Sequence, residues 1–147
     1  MTKKMQFCYE YPRPALTVDC IILKKEENDI ELLLIQRAQE PFKGKWALPG
    51  GVVDEDETTE KAAERELTEE TGIRTQNLKQ LHTFSEPDRD PRGRTVSVVY
   101  YAFVERNILT KAGDDAAKAE WFPINKLPEL AFDHSEIIKY AINELNL

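Results

Sequence analysis

The stretch "ALPGGVVDEDETTEKAAERELTEETGI" runs from Ala47 to Ile73, and its segment "ERELTEE" places four glutamates in seven residues, Glu64 to Glu70. Like charges at helical spacing repel, so this concentration needs a reason. Thr58 or Thr59 suits the N-cap of a helix and Gly72 stands where a C-terminal cap belongs, which predicts a helix over Thr59–Thr71. With Glu66 at zero and roughly 100° per residue, Ala62, Ala63 and Leu67 fall near ~−40°, ~60° and ~100°, while Glu69 and Glu70 fall near ~−60° and ~40°. Glu60, Lys61, Glu64, Arg65, Thr68 and Thr71 occupy the opposite arc and read as the solvated face. Glu66, Glu69 and Glu70 therefore share the arc that carries the aliphatic residues. Carboxylates gathered at a semi-buried edge resist ionisation. A hard divalent cation removes that conflict, since Mg²⁺ prefers oxygen ligands and commonly bridges carboxylates to phosphate.

Around this helix the chain reads mostly as strands. "LTVDCIIL" (Leu16 to Leu23) is apolar and β-branched, and "IELLLIQR" (Ile30 to Arg37) reads as its hairpin partner across the polar turn "KKEEND". "AQEPFKGK" is a loop, and "WALPGGVV" is a short strand interrupted by Pro49-Gly50-Gly51. "LKQLHTF" and "TVSVVYYAFV" (Thr95 to Val104) are strands separated by the polar loop "SEPDRDPRGR". "AEWFPI" is a last short strand, and "SEIIKYAINEL" (Ser135 to Leu145) is an amphipathic helix. A mixed sheet with helices packed on it follows. The length of 147 residues suits one domain spanning 1–147.

The formal charge of −7 disfavours a surface for nucleic-acid phosphates. It leaves small phosphorylated substrates open, because bound cations reverse the local sign. No apolar run approaches the ~20 residues of a membrane span. "MTKKMQFCYEYPRP" lacks the apolar core of a secretory signal, and Cys8 and Cys20 have no metal or redox spacing. The expectation is a cytoplasmic protein with reduced cysteines.

Gly51, five residues, Glu57, seven residues, then Arg65-Glu66-Leu67-Thr68-Glu69-Glu70-Thr71-Gly72-Ile73 resembles the Nudix box at every specified position. That resemblance implies an α/β/α sandwich and Mg²⁺- or Mn²⁺-dependent hydrolysis of a nucleoside diphosphate linked to a group X. It implies Glu66 and Glu70 as principal metal ligands, Glu69 as a ligand or water-orienting base, and Gly50 in the same metal set. Glu57 and Arg65 would brace the loop and helix, and Gly50-Gly51 would let the loop approach the helix and the substrate closely. "RPALTVDCIIL", "EPFKGKWALPGG", "PDRDPRGRTVSV", "AGDDA" and "LAFDH" resemble the ADP-ribose pyrophosphatase branch, whose reaction yields AMP and ribose 5-phosphate. A homodimer is implied as well. The same box serves enzymes acting on nucleoside triphosphates or nucleotide sugars, and similar domains act as ADP-ribose sensors fused to a DNA-binding domain. Here the sequence closes at Leu147, soon after one helix, and the intact carboxylate set and acidic balance set the expectation at hydrolysis.

Other candidates lie outside the box. Arg89, Arg92 and Arg94 have forked donors suited to phosphate or ribose oxygens, or to ion pairs within a solvated turn. Asp88 and Asp90 suit ribose hydroxyls or a further metal. Arg37 ends a strand just before the box and can meet a phosphate or sit at a sheet edge. Trp46 and Phe42 offer a stacking face for adenine or ordinary packing. Asp115, with Asp114 beside it, stands where some Nudix enzymes carry an extra acid, and is a candidate ligand or base. Glu120 reads as an exposed strand residue. His82 and His134 have no paired-ligand spacing; His134 reads as ordering the junction before the last helix, with Asp133.

Overall fold

The hairpin that starts the sheet is longer than its apolar cores. In the computed structural model, which describes residues 6–113 and 116–147, the strands are β1 (Ala15–Glu26), β2 (Asp29–Arg37), β3 (Trp46–Ala47), β4 (Gly50–Val52), β5 (Lys79–Phe84), β6 (Thr95–Phe103) and β7 (Ala116–Pro123). The helices are α1 (Thr59–Thr71) and α2 (His134–Glu144). Among the described residues no helix is long and apolar enough to cross a membrane.

β1 is the spine. It runs parallel to β6 over its whole core, from Ala15↔Thr95 to Leu23↔Phe103, and β5 adds antiparallel to the far edge of β6. Its other edge divides. Leu23 to Glu26 pair antiparallel with Leu32 to Asp29 of β2, whereas Thr17 to Asp19 pair with Val52 to Gly50 of β4. β2 leaves β1 beyond Leu32 and takes β3 and β7 as partners. The sheet therefore forks. The interrupted strand "WALPGGVV" is two strands on different partners, and Leu48-Pro49 carries the chain across the fork.

Alternation along the strands sends side chains to two cores. Val18, Cys20 and Ile22 of β1, with Val98, Tyr100 and Ala102 of β6, face Ala62, Ala63 and Leu67 of α1. Ile21, Leu23, Leu32, Leu34 and Val99 face Ile137, Ile138 and Ala141 of α2. Each buried Leu, Ile or Val contributes about 1.5–3 kcal/mol. The result is helix, mixed sheet, helix, in agreement with the sequence reading. Small residues at the α1 contact bring the helix close, so that Cys20 Sγ lies 3.7 Å from the Ala63 carbonyl oxygen.

Both ends of α1 fall where the caps predict. The Thr58 side chain accepts from the Lys61 amide at 3.1 Å, and Gly72 takes the left-handed cap and donates to the Thr68 carbonyl. The solvated arc is narrower than expected. Thr71 is fully buried, because the 111–113 segment folds over the helix end, where the Lys111 and Gly113 amides donate to the Thr71 and Glu70 carbonyls. The Glu64 side chain is only 22% exposed, and Arg65 turns inward. The last strand begins at Ala116, three residues before "AEWFPI".

Candidate active site

A cleft of about 600 Å³ opens where β1 and β2 part. Its walls differ in sign. Glu66, Glu69 and Glu70 of α1 line one side; Arg37, Arg92 and Phe132 line another; Asp19, Gly50, Gly51 and His134 also border it.

The acidic wall is built on one arginine. Arg65 donates from Nε and Nη2 to the Glu57 carboxylate at 3.0 and 2.6 Å, and from Nη2 to the Val52 carbonyl at 3.1 Å. Its Nη1 reaches Glu66 at 2.8 Å and Glu69 at 3.2 Å. One guanidinium thus ties the loop after β4 to the acidic face of α1. Its bond to Arg65 lowers the Glu57 pKa, and the same pairing drives that of Arg65 far upward. Glu69 is the most open of the three acids, with 42% of its side chain exposed.

Glu66 and Glu70 stand differently. Gly51 lies against Glu66: a Cβ there would come within 2.5 Å of the carboxylate carbon. The Gly50 amide donates to Glu70 Oε1 at 3.2 Å. Glu70 is buried and hydrogen-bonded to Glu66, and burial first, then the Glu66 charge, push its pKa up to about 9. Glu66 is also raised, chiefly by burial, against the pull of Arg65. Held together in this way, both carboxyls keep their protons to higher pH than a free glutamate does. Among the described residues no three His, Cys, Asp or Glu side chains converge to hold an ion by themselves.

The opposite wall is cationic and aromatic. The Arg37 and Arg92 guanidinium carbons lie 4.9 and 4.7 Å from the centre of the Phe132 ring, within cation–π range. Phe42 meets the same ring edge-on at 4.9 Å. Phe132 and Phe42 both have positive φ, 53° and 61°, a conformation rare for aromatic residues and most often tolerated near functional sites. Arg37 Nε donates to the Pro41 carbonyl at 2.7 Å.

Several candidates spend their polar groups on partners within the protein, although Arg89 and Asp90 also border the cleft. Arg89 makes a two-pronged pair with Asp133 at 2.9 and 2.7 Å and its side chain is 4% exposed, so it ties the 85–94 loop to α2. Asp90 is buried and accepts from Arg92 Nε and Nη2 at 3.1 and 2.8 Å, which lowers its pKa against the opposing effect of burial. Arg94 donates to the Ser85 carbonyl. Asp88 is exposed and does not line the cleft. Of the two roles open to Trp46, stacking on adenine or packing, the structure shows packing: it meets Phe122 edge-on at 4.8 Å, away from the cleft, because β3 turns its side chain toward the α2 layer. Glu120 is exposed. Asp114 and Asp115 lie outside the described residues.

Two cleft residues escaped the sequence reading. Phe132 stands in the branch-like segment "LAFDH", but no role for its ring follows from that segment. Asp19 did carry one, as an acid inside the apolar run "LTVDCIIL". It is buried, accepts from Ser97 Oγ at 2.5 Å, and burial pushes its pKa up to about 7. His134 was read as an ordering residue; it lines the cleft, 3.5 Å from Asp19.

A family profile described as "NUDIX domain" matches residues 13–141. The chain is 51% identical over 129 residues to an ADP-ribose pyrophosphatase of Methanocaldococcus jannaschii, covering 88% of this chain and 73% of that one. It is 36% identical over 141 residues to the ADPR responsive transcriptional repressor NtrR of Acinetobacter baylyi, covering 93% of this chain but 56% of the repressor. It superposes on the NUDIX domain of Shewanella oneidensis NrtR complexed with ADP ribose with a TM-score of 0.85 at 33% identity, covering 92% and 90% of the two chains. With the box residues gathered on one cleft wall and the match spanning most of its length, the chain belongs to the NUDIX domain family.

Proposed function

We propose that the chain hydrolyses the pyrophosphate bond of a nucleoside diphosphate linked to X, with ADP-ribose as the preferred substrate and AMP and ribose 5-phosphate as products. The observation that carries this is geometric: Glu66 and Glu70, held together beside the Gly50 amide, line the same cleft as Arg37 and Arg92. The 51% identity to an ADP-ribose pyrophosphatase supports the choice of X.

The donor set fits a hard cation. Two adjacent carboxylates beside the Gly50 backbone are oxygen ligands whose repulsion Mg²⁺ or Mn²⁺ would relieve. Glu66 and Glu70 would hold it, with Gly50 adjacent and Glu69 at the rim, and the remaining ligands would be water and substrate. When bound, the ion neutralises phosphate charge and lowers the pKa of water. The chain's own residues do the positioning. Arg65 and Glu57 keep α1 and the loop in register. Arg37 and Arg92, steadied by Phe132, attract the diphosphate and its sugar from the opposite side. A water oxygen adds to one phosphorus while its proton passes to a carboxylate; the bridging P–O bond breaks with its electron pair staying on the bridging oxygen, and two monophosphates leave. Glu69 and Asp115 are the acids assigned to orient that water.

The free cysteines, Cys8 exposed and Cys20 buried, suit a reducing compartment, and we place the protein in the cytoplasm as a homodimer. A second reading, an ADP-ribose sensor without turnover, draws on the repressor relative. One experiment separates these: ADP-ribose, nucleotide sugars, dinucleotides and nucleoside triphosphates assayed with Mg²⁺ and with chelator. Cation-dependent release of AMP from ADP-ribose supports the proposal. Binding of ADP-ribose without hydrolysis favours the sensor, and preference for a triphosphate overturns the choice of X.

A further inference from the structure

The turn that meets Glu70 is held from behind. Leu48 is buried, and its amide donates to His134 Nδ1 at 3.0 Å. The next residue, Pro49, has no N–H, and its carbonyl accepts from the Cys20 amide at 2.8 Å. Gly50 then donates to Glu70. There is no slack beneath the turn: a Cβ on Gly50 would overlap the Val18 carbonyl and lie 2.7 Å from Asp19 Oδ1. So the Leu48 amide, the Pro49 carbonyl and the Gly50 amide are pinned at three successive points, and only the first of these pins is a side chain from the other helix layer.

His134 can do this in one form alone. Nδ1 must be an acceptor, so the ring is neutral and its proton is on Nε2, which faces Asp19 Oδ1 at 3.5 Å. Burial favours that neutral ring, lowering its pKa to about 4. The base of the ring is anchored too. Asp133, next to it, carries the two-pronged bond from Arg89. The ring is thus held at Nδ1 by the Leu48 amide, with Nε2 turned toward Asp19.

We propose that His134 is a positioning residue for the cation site: its Nδ1 fixes the Leu48 amide and thereby sets the Pro49–Gly50 turn against the Glu70 carboxylate. The inference rests on the assignment of Glu66 and Glu70 as cation ligands made above. It adds a side chain outside the box, from α2, to the machinery of the box.

The test uses Mn²⁺ alone, followed by electron paramagnetic resonance without substrate. In His134→Asn the amide oxygen can take the place of Nδ1, whereas His134→Leu offers no acceptor. We expect His134→Leu to bind Mn²⁺ about 10–100-fold more weakly, the usual penalty for removing a residue that orients a ligand, and His134→Asn to recover most of that loss. Wild-type affinity in folded His134→Leu overturns the proposal, and so do equal losses in both variants. Should the leucine variant not fold, nitrogen NMR of the wild type decides: the proposal requires an unprotonated Nδ1 coupled to the Leu48 amide, and a proton on Nδ1 contradicts it. Wild-type protein that binds no Mn²⁺ overturns the cation assignment itself, and this inference with it.

Discussion

Gly51 leaves a space that the Glu66 carboxylate uses, for any side chain at residue 51 would begin 2.5–2.8 Å from its three terminal atoms. Contacts that short force one partner to move. Gly51→Ala should therefore displace Glu66, while β4, a three-residue strand, absorbs little of the strain. We expect turnover to fall by about 10²-fold, the scale of a misplaced catalytic group, with a loss of Mn²⁺ affinity. Steady-state kinetics and a metal titration check this.

Glu70→Gln separates stability from activity. Without a cation Glu70 is protonated at neutral pH, and Gln copies that neutral form. A folded pKa raised from 4.5 to about 9 means that Glu70 stabilises the fold less and less as pH rises from about 4.5 through 9. The substitution removes this penalty. At pH 8 with chelator, the variant should be more stable than wild type by about 1–3 kcal/mol in denaturant unfolding. Turnover should nonetheless fall by orders of magnitude. Glu60→Gln, on the exposed first turn of α1, is the control and should change neither.

Asp19 and His134 give opposite pH signatures. Burial raises Asp19 from 3.8 to about 7, so its contribution is full below about 4 and is lost as pH rises through 7. Burial lowers His134 from 6.5 to about 4, so its contribution is full above about 6.5 and is lost as pH falls through 4. The two slopes offset in wild type. In Asp19→Asn only the histidine slope survives from this pair. The stability of the variant relative to wild type should rise by about 1.4 kcal/mol per pH unit between roughly pH 4 and 7. Urea unfolding at several pH values, with chelator, measures it; a flat difference would show that Asp19 is ionised throughout.

Phe132 holds two guanidinium groups beside the cleft. Phe132→Leu keeps apolar bulk but removes the ring face. We expect KM for ADP-ribose to rise about 2–5-fold, matching the ~0.5–1 kcal/mol of an exposed cation–π contact, with kcat changed less. An unchanged KM would remove the arginine wall from substrate binding.

The sequence made the box helix legible to the residue, because caps and composition agree there: Thr58 and Gly72 bound it as expected. The strands were legible as apolar, β-branched runs, apart from "WALPGGVV", whose two halves join different strands because Leu48-Pro49 bridges the fork. What the sequence hid was long-range pairing. Nothing local says that Arg89 spends its fork on Asp133, 44 residues away, or that Trp46 faces the α2 layer. Thr71 and Glu64 were misplaced for the same reason. Helical angle reports which way a side chain points, but burial depends on what the rest of the chain lays over it.

The test that matters most is whether a cation, on binding beside Glu66 and Glu70, displaces a proton from that pair. Calorimetric titration with Mn²⁺ at pH 7, in two buffers of different ionisation enthalpy, counts the protons released on binding. The account requires release of about one proton per binding event, with apparent affinity rising about tenfold per pH unit below pH 9, and no such release in Glu70→Gln. Binding that frees no proton, or that Glu70→Gln leaves untouched, would contradict it.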